Sequence, residues 1–445
     1  MKRLNNQEIW EVLLNGDQWA IDEVLKRLHP VDLLEVLEEH EDEAGQVLNR
    51  LSDELLADLI DEAEDEDKYE ILKQFSILKQ KHILSEMSND EIADLVEQLE
   101  DDEAEDVLAN LDEEDRQDIE RLMQYDPDSA GGIMTSEYLS LPANFTVGET
   151  LTYLQVHTDV ETTYYLYVVD KHRILKGVVS LRDLVTHPFH TKITDILNPN
   201  VIAVKVDEDQ EQVAHQFEKY GFILMPVVDE QGRMLGVIEF DDIMDVLSEE
   251  YAEDIHHLAG INKEEKIDSS IADSFKSRIP WLIVNLLTAV LAAAVVAFFE
   301  STIAQVVSLA TVMSIVTGMG GNAGTQALTI VVRGISLNEL TKENGLKILG
   351  KEIVVGMMSG LVIGIFVGIG SSLLEMNPFF GVITGAAMFL NMILANIAGY
   401  FIPVILTKLK VDPALASGVF VTTVTDVMGF MLFLGLASLA LPYLV

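Results

Sequence analysis

Between Ala414 and Leu441 the sequence is apolar over a membrane-spanning length, and Asp426 sits near its middle as the one acid between Pro413 and the C-terminus. A helix needs about 20 apolar residues to cross a bilayer. A carboxylate at its centre costs roughly 2.5 to 3.5 kcal/mol on insertion scales. Thr422 and Thr423, four and three residues earlier, put hydroxyls on the Asp426 face. Gly418 continues that face and lets backbone, water or an ion approach closely. A protonated Asp hydrogen-bonded between helices is one reading. A pathway for an ion or a proton accounts better for the cost.

A second unusual stretch is Gly318-Met319-Gly320-Gly321-Asn322-Ala323-Gly324-Thr325-Gln326, polar and glycine-rich inside another apolar run. Such sequence is tolerated at membrane depth only where protein buries it or a cavity receives it. Asn322 is therefore a candidate to line the same pathway as Asp426. Asn391 and Asn396 either hydrogen-bond between helices or line that cavity, and Asn285 reads as a packing hydrogen bond.

Further acids are spaced for joint binding of a divalent ion. Asp90 and Asp94 stand four apart on one helical face. Asp242, Asp245, Glu249 and Glu253 make a row, with Glu250 and Asp254 beside it. Like charges at these spacings destabilise a helix slightly, so a stack of them points to bound cations. The plain alternative is a solvated helix face.

The elements that must position these residues follow from composition. Of 445 residues, 1–130 hold 41 acids and 11 bases, 131–274 hold 26 and 10, and 275–445 hold 7 and 8. A strongly acidic soluble part thus precedes a membrane part. Its surface repels nucleic acid and attracts cations. With no cysteine, disulfides, thiolate zinc sites and cysteine nucleophiles are excluded. No apolar signal segment opens the chain, so the acidic part is expected to stay in the cytoplasm.

Residues 1 to about 130 read as an all-α superhelical array of short amphipathic helices. Leu51-Ser52-Asp53-Glu54, Met87-Ser88-Asn89-Asp90-Glu91 and Leu111-Asp112-Glu113-Glu114 each place an apolar residue before an acidic helix start, and Ser88 to Glu91 fits a capping box. Asp126-Pro127-Asp128-Ser129-Ala130-Gly131-Gly132 breaks the pattern. A repeat follows at a constant offset of 59: Val168-Val169-Asp170 with Val227-Val228-Asp229, Gly177-Val178-Val179 with Gly236-Val237-Ile238, and Asp183-Leu184 with Asp242-Ile243. Each unit reads helix, strand, turn, strand, helix. It resembles a tandem pair of cystathionine-β-synthase (CBS) domains over about Met134 to Leu247. In that family the acid matching Asp183 contacts an adenosine ribose, so the resemblance implies ATP there. Glu239 replaces Ser180 in the second unit, and a pair without nucleotide stays equally open.

An amphipathic connecting helix carries Ile243, Val246, Leu247, Tyr251, Ile255 and Leu258 as its apolar stripe, and a second amphipathic segment, about 267–279, leads to the bilayer. Five spans are expected, at about 280–299, 308–332, 353–374, 382–406 and 414–441. Lys276 and Arg278, then Arg333 with Lys342, Lys347 and Lys351, then Lys408 and Lys410 all fall inside if the N-terminus is cytoplasmic, which leaves the C-terminus outside. Gly356, Gly360, Gly364 and Gly368 form a smooth track for close helix packing. Glu300 and Glu375 sit at span ends and receive no role.

The whole chain resembles the MgtE family of magnesium transporters and channels. The resemblance rests on Gly321-Asn322-Ala323-Gly324-Thr325-Gln326 and on Asp412-Pro413-Ala414 through Thr422-Thr423-Val424-Thr425-Asp426, then Gly429-Phe430. It implies a homodimer in the cell membrane, not an enzyme, with the acid matching Asp426 at the constriction and the helix after the CBS pair acting as a plug that senses cytosolic Mg²⁺. The expected domains are 1–133 helical, 134–247 CBS pair, 248–275 connecting helix and 276–445 five-helix transmembrane. Elementary chemistry agrees: Mg²⁺ keeps several waters, so one or two carboxylates with hydroxyls and carbonyls suit it. Mn²⁺ or Co²⁺ as cargo, or a CBS-gated channel of other selectivity, are the alternatives.

Overall fold

The computed structural model describes residues 5–63, 65–157, 165–261, 265, 267, 269–415 and 417–444. Two compact units result, Met1–Leu247 and Ser248–Val445.

The first unit opens with ten helices of 8 to 10 residues: α1 Asn6–Asn15, α2 Gln18–Leu25, α3 Pro30–Glu38, α4 Glu41–Leu48, α5 Asp53–Asp61, α6 Asp65–Leu72, α7 Ile77–Leu84, α8 Asn89–Glu97, α9 Asp101–Leu108 and α10 Glu113–Leu122. Apolar residues at helical spacing bury one face of each, as Leu56, Leu59 and Ile60 do in α5 and Ile92, Leu95 and Val96 in α8. Asn5, Asp17 and Ser52 cap their helices by accepting backbone N–H bonds. The capping box expected at Ser88 is not formed. Glu91 instead meets the Lys68 ammonium at 2.8 Å, where both partners of the hydrogen bond carry charge.

The two CBS repeats build two three-stranded sheets, β1 Ser140–Pro142 with β2 Tyr165–Val169 and β3 Leu175–Ser180, then β4 Val204–Lys205 with β5 Leu224–Val228 and β6 Met234–Glu239. In each the outer pair is parallel and the hairpin antiparallel, with Val168 facing Gly177 and Val227 facing Gly236. Those glycines are required. A Cβ on Gly177 would lie 2.7 Å from the Asn198 carbonyl, and one on Gly236 would lie 2.5 Å from that of Thr135. Helices α11 Val147–Val156, α12 Leu181–Thr186 and α13 Gln210–Tyr220 pack around the sheets, and α14 Phe240–Ala259 follows β6 without a break. The first repeat has its own core of Leu141, Val168, Val179 and Leu184. The second does not: Val213, Phe217, Ile238, Ile243 and Val246 belong to one continuous core with the helices α1 to α10.

The second unit holds α15 Ile271–Phe298, α16 Glu300–Gln305, α17 Leu309–Ser336, α18 Gly345–Glu375, α19 Pro378–Lys408, α20 Ser417–Leu439 and α21 Leu441–Leu444. Of these α15, α18, α19 and α20 are long and apolar enough to cross a membrane. The 28 residues of α17 reach about 42 Å, but its glycine and amide stretch makes it more polar. The separate amphipathic segment expected before the first span is not distinct. Described from Ile271 onward, it continues through Pro280 as one helix capped by Ser270. Gly356, Gly360, Gly364 and Gly368 do form a packing track: a Cβ on any of them would lie 2.8 to 3.0 Å from a carbonyl oxygen of α19. Asn285 is exposed on α15 rather than packed.

Candidate functional site

Asp426 lies half-buried in the middle of α20, with Thr425 beside it fully buried. The glycines of α17 allow that helix to press against this turn. A Cβ on Gly324 would stand 2.6 Å from Val421 Cγ1, and one on Gly321 would meet the Thr425 hydroxyl at 3.8 Å. On the other side Gly429 faces the Asn391 amide, 3.0 Å from its absent Cβ. Asn391 is buried and donates to the Val316 carbonyl at 2.9 Å, while its Oδ1 has no hydrogen-bond partner. It is the interhelical bond that the sequence leaves as one option.

The threonine hydroxyls spend their protons within the helix. Thr422 donates to Gly418 at 2.9 Å, Thr423 to Val419 at 2.6 Å and Thr425 to Thr422 at 2.9 Å. Each oxygen keeps lone pairs that can face a cation. Thr422 is exposed, and so are Asn322, Thr325 and Gln326 on α17. The single chain therefore shows a polar strip on helices of membrane length.

The regulatory candidates Asp90 and Asp242 come together from sequence positions far apart. With Asp245, Asp58, Asp61, Glu91, Glu137, Glu239 and Asp241 they line a cavity of about 540 Å³ between the short helices and the second CBS repeat. Burial, then repulsion from Asp90 and Asp241, pushes Asp242 up to about 8. Asp61 likewise rises to about 8 through burial and then Glu91. Asp90 is raised by burial as well, against hydrogen bonds from Thr135 and Ser88. Buried oxygens of Asp61 and Asp90 have no hydrogen-bond partner. These are hard oxygen donors in excess of the one nearby ammonium, Lys68, which is paired with Glu91, and they fit a divalent cation such as Mg²⁺. Asp94 is exposed and lies outside the cavity lining. Loss of surrounding water, then Glu91 and Asp90, still lifts it to about 7. Sequence spacing did not single out Asp58, Asp61, Glu137, Glu239 or Asp241, because they approach only through tertiary packing.

The acidic row of α14 does not act as one strip. Asp242 and Asp245 face that cavity, whereas Glu253 and Asp254 turn toward the chain leading into α20. His257 Nδ1 donates to Asp412 Oδ2 at 2.7 Å and lies 3.5 Å from Glu253 Oε1. Asp412 raises the His257 pKa, first through that hydrogen bond. Burial raises Asp254, and Asp412 adds to it, although Ser336 donates to its carboxylate at 3.5 Å. Ligand atoms of Glu253, His257 and Asp412 lie within 4.8 Å of one another. Glu249 is exposed and Glu250 partly so. Tyr251 and Ile255, expected in the apolar stripe, are exposed too.

Asp183 holds a capping box at the start of α12: its carboxylate accepts from the Ser180 hydroxyl at 2.5 Å and the Ser180 N–H at 3.2 Å.

Comparison with known proteins matches this architecture part by part. Residues 28–128 fit the MgtE intracellular N domain, 130–189 and 193–249 the CBS domain, and 313–436 the MgtE divalent cation transporter domain. The magnesium transporter MgtE of Thermus thermophilus is 35% identical over 438 residues, covering 97% of each chain. The chain belongs to the MgtE family. The MgtE of Bacillus subtilis is 34% identical, with 93% of this chain and 92% of that one covered. Among solved structures, the soluble part of a magnesium transporter aligns with TM-score 0.53 at 35% identity, over 56% of this chain and 98% of that one. The cytosolic domain of the Mg²⁺ channel MgtE in complex with ATP aligns with TM-score 0.51 at 37% identity, over 54% of this chain and 100% of that one. The MgtE transporter domain match runs from α17 to α20 and includes the helix that carries Asp426.

Proposed function

We propose that this MgtE protein carries Mg²⁺ across the cell membrane, with Asp426 as the residue that holds the passing ion. The observation that carries the reading is the half-buried carboxylate on a span, beside hydroxyl oxygens whose protons are already committed. Such a site offers charge and lone pairs without dehydrating Mg²⁺ fully. Asn322 and the exposed polar strip of α17 would face lipid in a lone protomer, at a cost. A second copy across a two-fold axis covers that strip and brings two Asp426 carboxylates to one hydrated ion. The first unit lies in the cytoplasm on this reading and the C-terminus outside.

Control resides in the acidic groups. Two carboxylates about 4 Å apart repel by roughly 4 kcal/mol at an effective dielectric near 20. In the cavity of the first unit such repulsion loosens the short helices from the second CBS repeat, and Mg²⁺ bridging Asp90, Asp242 and Asp61 reverses it. Asp94, Asp245, Glu249, Glu250, Glu253 and Asp254 extend the same cation-collecting field. High internal Mg²⁺ thereby favours the closed state. ATP binds at the first CBS repeat, where Asp183 is accessible for a ribose. Flux of Mg²⁺, Mn²⁺, Co²⁺, Ca²⁺ and chloride into liposomes holding the full chain tests the function. Mg²⁺ uptake that falls as internal Mg²⁺ rises is expected, and chloride flux without Mg²⁺ flux overturns it.

A further inference from the structure

The membrane unit contains a buried acid that lies outside the Asp426 site. Glu352 sits seven residues into α18 with its side chain only 6% exposed, while Glu300, Glu339, Glu343 and Glu375 in the same unit are exposed. The recorded ion pair is with its sequence neighbour Lys351 at 3.5 Å, whose side chain is 62% exposed. An ammonium mostly in water neutralises a buried carboxylate weakly. Holding that charge in a membrane-length helix is expensive unless something else compensates.

Glu352 opens on a groove of about 230 Å³ between α17, α18 and α19, with room for several waters. Besides Glu352, its polar lining comes from Gln326, Ser359 and Asn396, and from the largely exposed Lys351, whose ammonium an incoming cation would displace toward solvent. The Asn396 amide nitrogen donates to the Met392 carbonyl at 2.8 Å, which fixes the amide plane, and its oxygen carries lone pairs that can meet a cation. The Ser359 proton goes to the Val355 carbonyl, so its oxygen too keeps lone pairs. A carboxylate, amide oxygens and a hydroxyl make an all-oxygen set suited to a hard cation that retains water.

Gln326 follows Asn322 by one helical turn on α17, on the side of Ser336 and the lysine-rich link. The groove therefore continues the polar strip from the level of Asp426 toward the end of the unit read as cytoplasmic. We propose that Glu352, with Gln326, Ser359 and Asn396, forms a second site for a hydrated divalent cation, on the cytoplasmic side of Asp426. The site takes the ion after it leaves Asp426 and passes it inward. Its role in transport rests on the Mg²⁺ reading above; its binding does not.

The cysteine-free sequence gives a clean reporter. In the full-length chain in nanodiscs, Val355→Cys, at an accessible apolar position of the groove lining, is labelled with a neutral maleimide across a Mg²⁺ titration at constant ionic strength. Mg²⁺ is expected to slow labelling. With each chain's rate normalised to its own Mg²⁺-free value, adding Glu352→Gln should raise the half-protecting concentration about tenfold, equivalent to about 1.4 kcal/mol. Glu352→Asp, which keeps the charge, should restore much of the protection. Labelling indifferent to Mg²⁺, or a half-protecting concentration that Glu352→Gln does not move, overturns the site. Protection that persists in an Asp426→Asn chain supports it. A wild-type chain that shows protection but no Mg²⁺ flux defeats the transport reading alone.

Discussion

Asp183 and Asp242 occupy the same place in the two CBS repeats, and each accepts a backbone N–H from the residue three before it, Ser180 at 3.2 Å and Glu239 at 3.3 Å. Their carboxyls are nevertheless driven in opposite directions. The Ser180 hydroxyl holds Asp183 below the usual carboxylate range. Burial and the neighbouring acids lift Asp242 to about 8. One backbone position thus serves an ordinary helix cap in the first repeat and a strained acidic cavity in the second.

The cavity should make the first unit sensitive to pH in a definite sense. Asp61 and Asp242 at about 8 and Asp94 at about 7 bind protons in the folded state that the unfolded chain has released above pH 4. Stability therefore falls as pH rises from about 4 to about 8. Thermal melting of residues 1–260 without metal should show that slope. Mg²⁺ should raise the melting temperature more at pH 8 than at pH 6, because at pH 6 it must displace protons. An equal Mg²⁺ shift at both values would count against a cation in this cavity.

Neutralising that cavity should uncouple control from conduction. Asp90→Asn with Asp242→Asn should leave uptake intact in low internal Mg²⁺ and raise the inhibiting concentration several-fold. Asp245, Glu249, Glu250 and Glu253 changed together to amides should act in the same direction. Deleting residues 1–130 is a poorer test, since Phe217, Ile243 and Val246 share a core with the removed helices and would be left exposed. Inhibition at an unchanged concentration in the double variant would remove these acids from the sensor.

Asp426→Ala should abolish Mg²⁺ uptake while the chain still folds and elutes as wild type, because losing a buried charge relieves a cost. Uptake near the wild-type rate in liposomes would exclude Asp426 as the ion-holding group.

Asn322→Leu should lower Mg²⁺ uptake at least tenfold more than Asn285→Leu. Both asparagines are exposed in the single chain, but only Asn322 adjoins the glycine turn of α17 packed on Thr425. Equal losses would mean that Asn322 packs against a neighbour and does not line the path.

Nucleotide binding should divide the two repeats. Asp183→Ala should weaken ATP binding about tenfold, the scale of a charge-assisted hydrogen bond, whereas Asp242→Ala should leave it unchanged. Calorimetric titration with ATP reads both, and loss only on Asp242→Ala would reverse the assignment.

Much of this protein is determined by local sequence alone. Helical spacing in Ile92, Leu95 and Val96, the 59-residue repeat, the alternation of basic links with apolar runs, and Asp426 beside two threonines all depend on neighbours within a few turns. Their periodicity fixes which face is buried before any partner is known. Tertiary structure decided what spacing cannot carry. Asp61 on α5, Asp90 on α8 and Asp242 on α14 meet only because the second CBS repeat shares its core with the short helices. His257 finds Asp412 across 155 residues. Glu352 reads as one more charge in a lysine-rich link, one residue before the expected third span. It became a buried carboxylate because the glycine track of α18 draws that helix tightly onto α19, and burial depends on what packs against a residue rather than on its sequence neighbours.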